Sequence, residues 1–264
     1  MGQTLVPDRL WEIVEPLIPP QRQRLQGGGT RYVDDRAVFT AIVYVLTAGC
    51  AWRHLPAEFG VSKAAAHRRF ATWTQAGLWR RLHRAVLDRL GEQGMIDWSR
   101  AVVDAASVRA KKGELTGPNP VGRGKPGSKL HVLTDATGLP LAVAVSAANT
   151  HDSLGLMPLV QAVPAVRSRR GPRRRRPAKL HADKGYDYEH LRAWLHARGI
   201  TPRIARRGVE TSTRLGRHRR IIERSFAWLT GYRRLTLRYE RSARLFCAFL
   251  TLAATLTCYK KLTT

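Results

Sequence analysis

Apolar and polar residues in the first 95 positions alternate with the period of an α-helix. Apolar side chains recur three and four residues apart, which places them on one helix face. A helix is expected from about Asp35 to a stop at Gly49, and a basic helix is expected after the N-terminal cap Ser62. With the tight turn at Gly60 before it, this pattern is typical of a helix-turn-helix unit. A plain helical bundle with solvated arginines would give the same spacing.

The pattern changes after residue 96. Short runs rich in β-branched residues now alternate with helical segments and with Gly- or Pro-rich turns. Strands are predicted at 101–108, 129–134, 139–146, 179–183 and 200–205, and helices at 151–163, 188–199, 218–235 and 245–259. This order favours a mixed sheet with helices on both faces. We therefore predict an all-α, helix-turn-helix-like domain at residues 1–95 and an α/β domain at residues 96–264.

The most apolar segment, residues 245–259, is shorter than the ~20 residues that a membrane-spanning helix needs. It is predicted to be a core helix, with a membrane anchor as the alternative. The N-terminus has no apolar stretch typical of a secretion signal. The three cysteines have neither zinc-site nor disulfide-framework spacing. These features fit the reducing cytoplasm and predict no membrane partner.

The charge of the chain points to a polyanionic partner. Lys and Arg number 46 and Asp and Glu number 19, which gives a formal net charge of +27. Nucleic acid is the expected partner of so basic a chain, and an anionic membrane surface is the alternative. A hydrophobic content of 44% excludes a fully disordered basic tail protein.

Acidic residues are few, so their positions are informative. Asp104 lies in the first predicted strand, Asp183 ends the strand 179–183, and Glu223 lies in a helix beside its apolar stripe. If the two strands are neighbours, the aspartates meet at one sheet edge and the helix could pack across them. Three such carboxylates would suit Mg²⁺ ions. A basic surface around an acidic metal site is the charge layout of a nuclease or a strand-transfer enzyme.

Each of these carboxylates also has an ordinary structural explanation as the partner of a basic residue near it in the chain. The pairs would be Asp104 with Arg109, Asp183 with Lys184, and Glu223 with Arg219. Asp104 could instead cap a turn.

Several segments together resemble a known family. They are VVDAASVRAKKG at 102–113, TGPNPVGRGKPGSKLHVLTDATGLPLAV at 116–143, ANTHDS at 148–153, LHADKGYD at 180–187 and RRIIERSFAWLTGYRRL at 219–235. In combination they resemble the DDE transposases of bacterial insertion sequences, in the IS-five family. The resemblance extends over nearly the whole chain, because the N-terminal region is also similar.

The resemblance implies an RNase H-like mixed sheet flanked by helices. It implies that Asp104, Asp183 and Glu223 are the catalytic and metal-binding residues, with two Mg²⁺ ions that Mn²⁺ could replace. Cleavage at the transposon end would free a 3′-OH, which would then attack a target phosphodiester. The implied partner is double-stranded DNA at the transposon ends and target, and a homodimer is expected to bridge the paired ends.

The family pattern around the glutamate is only partly kept. Arg219 matches the family arginine, but Gly216 stands where Tyr is usual and Thr230 where Lys or Arg is usual. Arg233 or Arg234 could serve in place of the last. The residues expected to contact DNA are His67, Arg68, Arg69, Lys129, Lys184, Arg219 and Arg220. The arginine run 173–176 is expected to bind phosphate, with a merely solvated loop as the alternative.

Three other functions stay open on the sequence. A catalytically inactive transposase remnant would bind its DNA ends without cutting them. An RNase H-like nuclease would cut without joining. A structural basic protein would need no carboxylates at strand ends, and replacing Glu223 by Gln would change nothing.

Overall fold

A computed structural model describes residues 5–20, 33–206, 208 and 212–263, and the side chains of all of these except 212–219. Its N-terminal helices are α1 (Asp8–Val14), α2 (Asp35–Ala48), α3 (Lys63–Gln75) and α4 (Leu78–Glu92). The Asp34 carboxylate caps α2 by accepting the Ala37 N–H at 2.8 Å, and Gly49 ends that helix with φ of 70°. The predicted stop at Gly49 is confirmed.

The predicted helix-turn-helix segment is partly as expected. Ser62 caps α3 by accepting the Ala65 N–H at 3.2 Å, as predicted, and Gly60 adopts φ of 66° in the preceding turn. Directly before Gly60 the chain forms only the single 3₁₀ turn Ala57–Phe59. A longer helix is prevented by Pro56 before the turn and by left-handed Gly60 after it.

The second part of the chain forms a mixed sheet. Its strands are β1 (Ala101–Ala110), β2 (Gly117–Pro118), β3 (Pro126–Asp135), β4 (Pro140–Ala147), β5 (Lys179–Ala182), β6 (Thr201–Ile204) and β7 (Leu237–Arg238). The main order is β4-β3-β1-β5-β6, in which β1, β3 and β4 are antiparallel while β5 and β6 run parallel to β1. This is the predicted RNase H-like arrangement, and the fold class is confirmed. The two-residue strands β2 and β7 pair with the ends of β3 and β1.

Four helices accompany the sheet in the described part of the chain: α5 (Ser153–Ala162), α6 (Glu189–His196), α7 (Ser212–Thr230) and α8 (Ala243–Leu262). Helix α7 begins six residues before the predicted start at 218 and ends at Thr230 rather than at 235. Gly231 follows that end, and a 3₁₀ turn, Arg233–Leu235, leads into β7.

Helix α8 joins the two parts of the molecule, because it packs against both α4 and β4. Phe249 of α8 stacks on Phe70 of α3 with ring centroids 4.2 Å apart. His83 of α4 lies 2.9 Å from the Pro140 carbonyl oxygen of β4, and burial lowers its pKa to about 4. Among the described helices α8 is the one long and apolar enough to cross a membrane, but 72% of its apolar window is buried inside the protein. It is the core helix of this fold, and the boundary between residues 95 and 96 stays a prediction.

Candidate active site

Asp104 lies in β1, and Asp183 directly follows the neighbouring strand β5. The parallel strands β1 and β5 pair with a constant offset of 79 positions, as in Val102 with His181. Asp104 and Asp183 are also 79 positions apart. Continuing the register therefore sets the two aspartates side by side where β5 ends, at the strand spacing of ~4.8 Å.

Backbone N–H groups orient both carboxylates. Asp183 Oδ1 accepts the Gly185 N–H at 2.9 Å, so that Asp183 caps the 3₁₀ turn Lys184–Tyr186. A Cβ at position 185 would lie 3.0 Å from that same Oδ1, so the small residue permits the close turn. Asp104 Oδ1 accepts the N–H of Ala105 at 2.8 Å. Asp104 is half-buried and Asp183 is exposed.

A buried tyrosine lies beside this pair. Tyr186 has no exposed surface, and its hydroxyl forms no hydrogen bond within the described residues. Burial raises the pKa of its phenol, and the negative charges of three aspartates raise it further. These are Asp104, Asp152 and Asp183. The hydroxyl is therefore an unused donor next to a group of acidic side chains, which sequence reasoning did not identify.

The Asp152 side chain forms an ion pair with Lys129 and does not cap a helix. It occupies the N-cap position of α5 but its side chain makes no capping hydrogen bond. Its Oδ1 lies 2.7 Å from Lys129 Nζ, an ion pair outside hydrogen-bonding alignment. Lys129 Nζ also donates to the Thr150 carbonyl at 2.7 Å, and only 14% of its side chain is exposed. In this structure Lys129 is thus directed inward, toward Asp152.

His131 lies on the same strand as Lys129, two positions along it. Its Nε2 lies 2.7 Å from the Ser146 hydroxyl of β4. Burial lowers the pKa of His131, the Asp152 charge raises it, and Lys129 lowers it. Polar side chains on β3 therefore pair with polar groups on β4 and at the start of α5.

Glu223 lies on the exposed side of α7, which packs across β1 and β3. The helix is fixed to the β3–β4 turn by Ser225, whose hydroxyl donates to the Gly138 carbonyl at 2.8 Å, and by Arg224, which donates to the Thr137 carbonyl at 2.6 Å. Gly138 has φ of 94°, and a Cβ there would lie 2.9 Å from the Ser225 hydroxyl oxygen. The sequence therefore needs glycine where helix and turn meet.

The three carboxylates do not form one closed group. Across the described residues, no three Asp, Glu, His or Cys side chains come close enough together to hold a metal ion. The pairing of β1 with β5 brings the positions of Asp104 and Asp183 to one edge of the sheet. Glu223 lies on helix α7, which packs across β1. The paired donors are carboxylate oxygens with a hydroxyl beside them, the donor set that hard cations such as Mg²⁺ and Mn²⁺ prefer. The two aspartates therefore fit a divalent metal.

The expected DNA contacts fall into different environments. His67 and Arg68 are exposed on α3, with the His67 ring edge-on to Trp52 at 5.4 Å. Arg69 instead forms an ion pair with Asp35 at 3.2 Å, and 18% of its side chain is exposed. Lys184, which directly follows Asp183, is exposed, and so is Arg220 on α7. Arg219 lies in α7, but its side chain is outside the described residues.

Arg234, one of the two arginines considered in place of the usual Lys or Arg at position 230, has a structural role. Arg234 is 4% exposed and binds Glu240 Oε1 at 2.6 Å and the Cys50 carbonyl at 2.7 Å. Its burial excludes it from the protein surface. Arg233, beside it, is exposed.

Two family models match the chain. A family model described as "Putative transposase of IS4/5 family" matches residues 6–83, and one described as "Transposase DDE domain" matches residues 98–258. The second match includes all three candidate carboxylates.

Similar curated proteins are named as transposases. The "Putative transposase for insertion sequence element IS402" of Burkholderia cepacia is 47% identical over 147 residues, 56% of this chain and 70% of the relative. The "Putative transposase for insertion sequence element IS6501" of Brucella ovis is 31% identical over 132 residues, 48% of this chain and 93% of the relative. The crystal structure of the Mos1 strand transfer complex is matched at 10% identity and a TM-score of 0.29, over 92% of this chain and 82% of that chain. Since one family model spans more than half of the sequence and a relative shares nearly half of its aligned residues, the chain belongs to the insertion-sequence DDE transposases.

Proposed function

We propose that this transposase binds the terminal inverted repeats of its insertion sequence, cleaves at the transposon ends and joins the freed 3′-OH to target DNA. The observation that supports the proposal is the pairing of β1 with β5, whose register, continued past Val102 and His181, would bring Asp104 level with Asp183. The helix of Glu223 packs across β1. A pair of fixed carboxylates in a chain of net charge +27 suits chemistry on a phosphodiester.

The residues that would hold a divalent metal are Asp104, Asp183 and Glu223. When bound, Mg²⁺ or Mn²⁺ would activate the attacking oxygen and stabilise charge on the leaving oxygen. The protein's own contribution is positioning. The Gly185 N–H holds the Asp183 carboxylate in one orientation, and Ser225 holds α7 on the sheet. Such preorganised groups supply most of the stabilisation in phosphoryl transfer.

Substrate binding would use the exposed cations near these carboxylates and on α3. Lys184 and Arg220 are exposed next to Asp183 and on the Glu223 helix, while His67 and Arg68 are exposed on α3. The proposal includes a homodimer on the paired ends, because joining two ends to one target requires two active sites. It also places the reaction in the cytoplasm.

A strand-transfer assay tests the proposal. The purified protein is incubated with a labelled duplex copying the DNA that flanks its gene, a supercoiled target and Mg²⁺. The expected result is a joined product that is lost when EDTA replaces Mg²⁺ and in Glu223→Gln. Glu12→Gln removes the same charge from an exposed site on α1 and is expected to join DNA as the unaltered protein does.

Other outcomes separate the alternatives. Cleavage without a joined product would point to a nuclease. Binding of the end duplex with neither cutting nor joining, unchanged in Glu223→Gln, would identify an inactive DNA-binding remnant and overturn the proposal.

A further inference from the structure

The segment between α5 and β5 forms a small ordered hairpin. We call residues 164–178 the arginine hairpin, since seven of the ten positions 167–176 are arginine. Val166 and Arg174 exchange two backbone hydrogen bonds of 2.7 Å each. Ser168 Oγ lies 2.9 Å from the Pro172 carbonyl oxygen across the turn, and Gly171 has φ of 85°. The hairpin therefore has a defined backbone, with a left-handed glycine at its turn.

Two of its arginines anchor the hairpin to helix α4. Asp88 accepts the Arg167 N–H at 2.8 Å and an Arg173 N–H at 2.9 Å. The guanidinium of Arg167 also binds Glu92 at 2.6 Å. The two carboxylates that hold the hairpin are thus occupied by its anchor arginines.

Three further arginines are left for an external partner. Arg169, Arg170 and Arg174 are exposed, and within the described residues their guanidinium groups make no hydrogen bond or ion pair. Arg175 and Arg176 are also exposed, and donate to the carbonyls of Gln161 and Arg198. Like charges held this close together repel one another, so the cluster favours a partner with closely spaced negative charges.

The hairpin lies at the opposite end of β5 from the candidate active site. It leads into Lys179, the first residue of β5, whereas Asp183 directly follows the last. Four residues of strand separate the two by ~13 Å along the chain direction. The hairpin and the carboxylates are therefore at opposite ends of the same strand.

We propose that the arginine hairpin binds the backbone phosphates of a second DNA duplex without reading its sequence. The inference rests on the proposed function, because the first duplex is the one held at the carboxylates. Guanidinium forks match phosphate oxygens and keep their charge at all physiological pH values. Double-stranded DNA presents one negative charge per ~1.7 Å of axis, so neighbouring arginines each find a phosphate. The anchoring by Asp88 and Glu92 orders the hairpin before DNA arrives, which lowers the entropy cost of binding.

Salt-dependent binding tests this proposal. Affinity for a short duplex of unrelated sequence is measured by fluorescence anisotropy between about 50 and about 200 mM salt. The variant is the triple substitution Arg169→Gln, Arg170→Gln and Arg174→Gln. The control, Arg9→Gln, Arg80→Gln and Arg244→Gln, removes the same charge from exposed positions on α1, α4 and α8. Thermal unfolding of both variants shows that each is folded.

Each phosphate contact contributes about 0.9 to the slope of log K against log salt. The hairpin variant is expected to lose about 3 from that slope and to bind on the order of tenfold or more weakly near 0.1 M salt. The control is expected to keep the slope. Equal losses in the two variants would overturn the proposal in favour of non-specific charge attraction.

An unchanged slope in the hairpin variant would also overturn the proposal. If that variant then loses self-association, the hairpin binds an acidic face of a second copy instead. Failure of the unaltered protein to join DNA is a separate result that concerns only the proposed function, since duplex binding is measured here without cleavage.

Discussion

The two ends of β5 use acidic residues in opposite ways. At the end that carries Asp183, the acidic side chains are themselves the candidate functional groups, and backbone N–H groups orient them. At the other end, Asp88 and Glu92 are the supports and the arginines are left to act. A net charge of +27 does not reveal this difference. The position of a few carboxylates therefore decides what each basic surface can do.

The largest effect is expected from Asp183→Asn. Asparagine can still accept the Gly185 N–H, so the turn should hold, but the negative charge is lost. We expect strand joining to fall by on the order of 10²–10³-fold or more, with an unchanged midpoint of urea unfolding. A variant that keeps its joining rate would show that the backbone-held carboxylate is structural, and the contrast between the two ends of β5 would disappear.

Tyr186→Phe tests the unused hydroxyl beside the aspartates. If that hydroxyl donates to a reacting phosphate or to a water in the assembled complex, joining should slow by about tenfold, the worth of one hydrogen bond to a charged group. Removing a buried hydroxyl that has no partner should also raise the free energy of unfolding by about 1 kcal/mol. Both quantities are measured on the same preparation. A less stable variant would mean that the hydroxyl has a partner in the folded protein.

Asp88→Asn should affect stability at the other end of β5. Loss of the charge weakens the contacts to the Arg167 N–H and to Arg173, and we expect unfolding to become easier by about 1–2 kcal/mol. Amide hydrogen exchange at Val166 and Arg174 should become faster, because the hairpin is no longer held on α4. Unchanged exchange would mean that the backbone alone orders the hairpin.

Lys129→Met distinguishes an internal ion pair from a DNA contact. The inward-facing ammonium predicts a loss of about 1 kcal/mol in unfolding free energy, because Asp152 loses its partner while part of that carboxylate is exposed to water. Affinity for the end duplex should hardly change. Arg220→Met, at an exposed position on α7, is the comparison variant. If Lys129→Met weakens DNA binding as much as Arg220→Met while stability is kept, the expected phosphate contact is correct.

The sequence predicted the features that depend on neighbouring residues alone, such as helix ends and tight turns. Ser62 and Gly49 mark helix ends, and the turn at 135–138 between two apolar runs gave the β3–β4 hairpin. The adjacency of Asp104 and Asp183 followed from their places on two strands, once those strands were taken as neighbours. The sequence did not predict the first six residues of α7 or the two-residue strands. Segments of two to six residues are too short to show a hydrophobic period.

Partners distant in sequence were beyond such reasoning. Lys129 and Arg69 were expected to contact DNA, and Arg234 was considered for the last position of the family pattern. Each of them pairs with a carboxylate inside the protein. Nothing in the local pattern separates an inward arginine from an outward one. Tyr186 was missed for the same reason, since its position beside the aspartates depends on how three strands and a helix come together.

Helix α8 has a consequence for how the protein is made. Residues 243–262 fill the space between the N-terminal helices and β4, so the apolar faces of both stay open until this helix has been synthesised. A nascent chain that has already exposed Asp104, Asp183 and Glu223 therefore lacks its finished core. A chain interrupted before Ala243 would be a target for chaperones and proteases rather than a shortened enzyme.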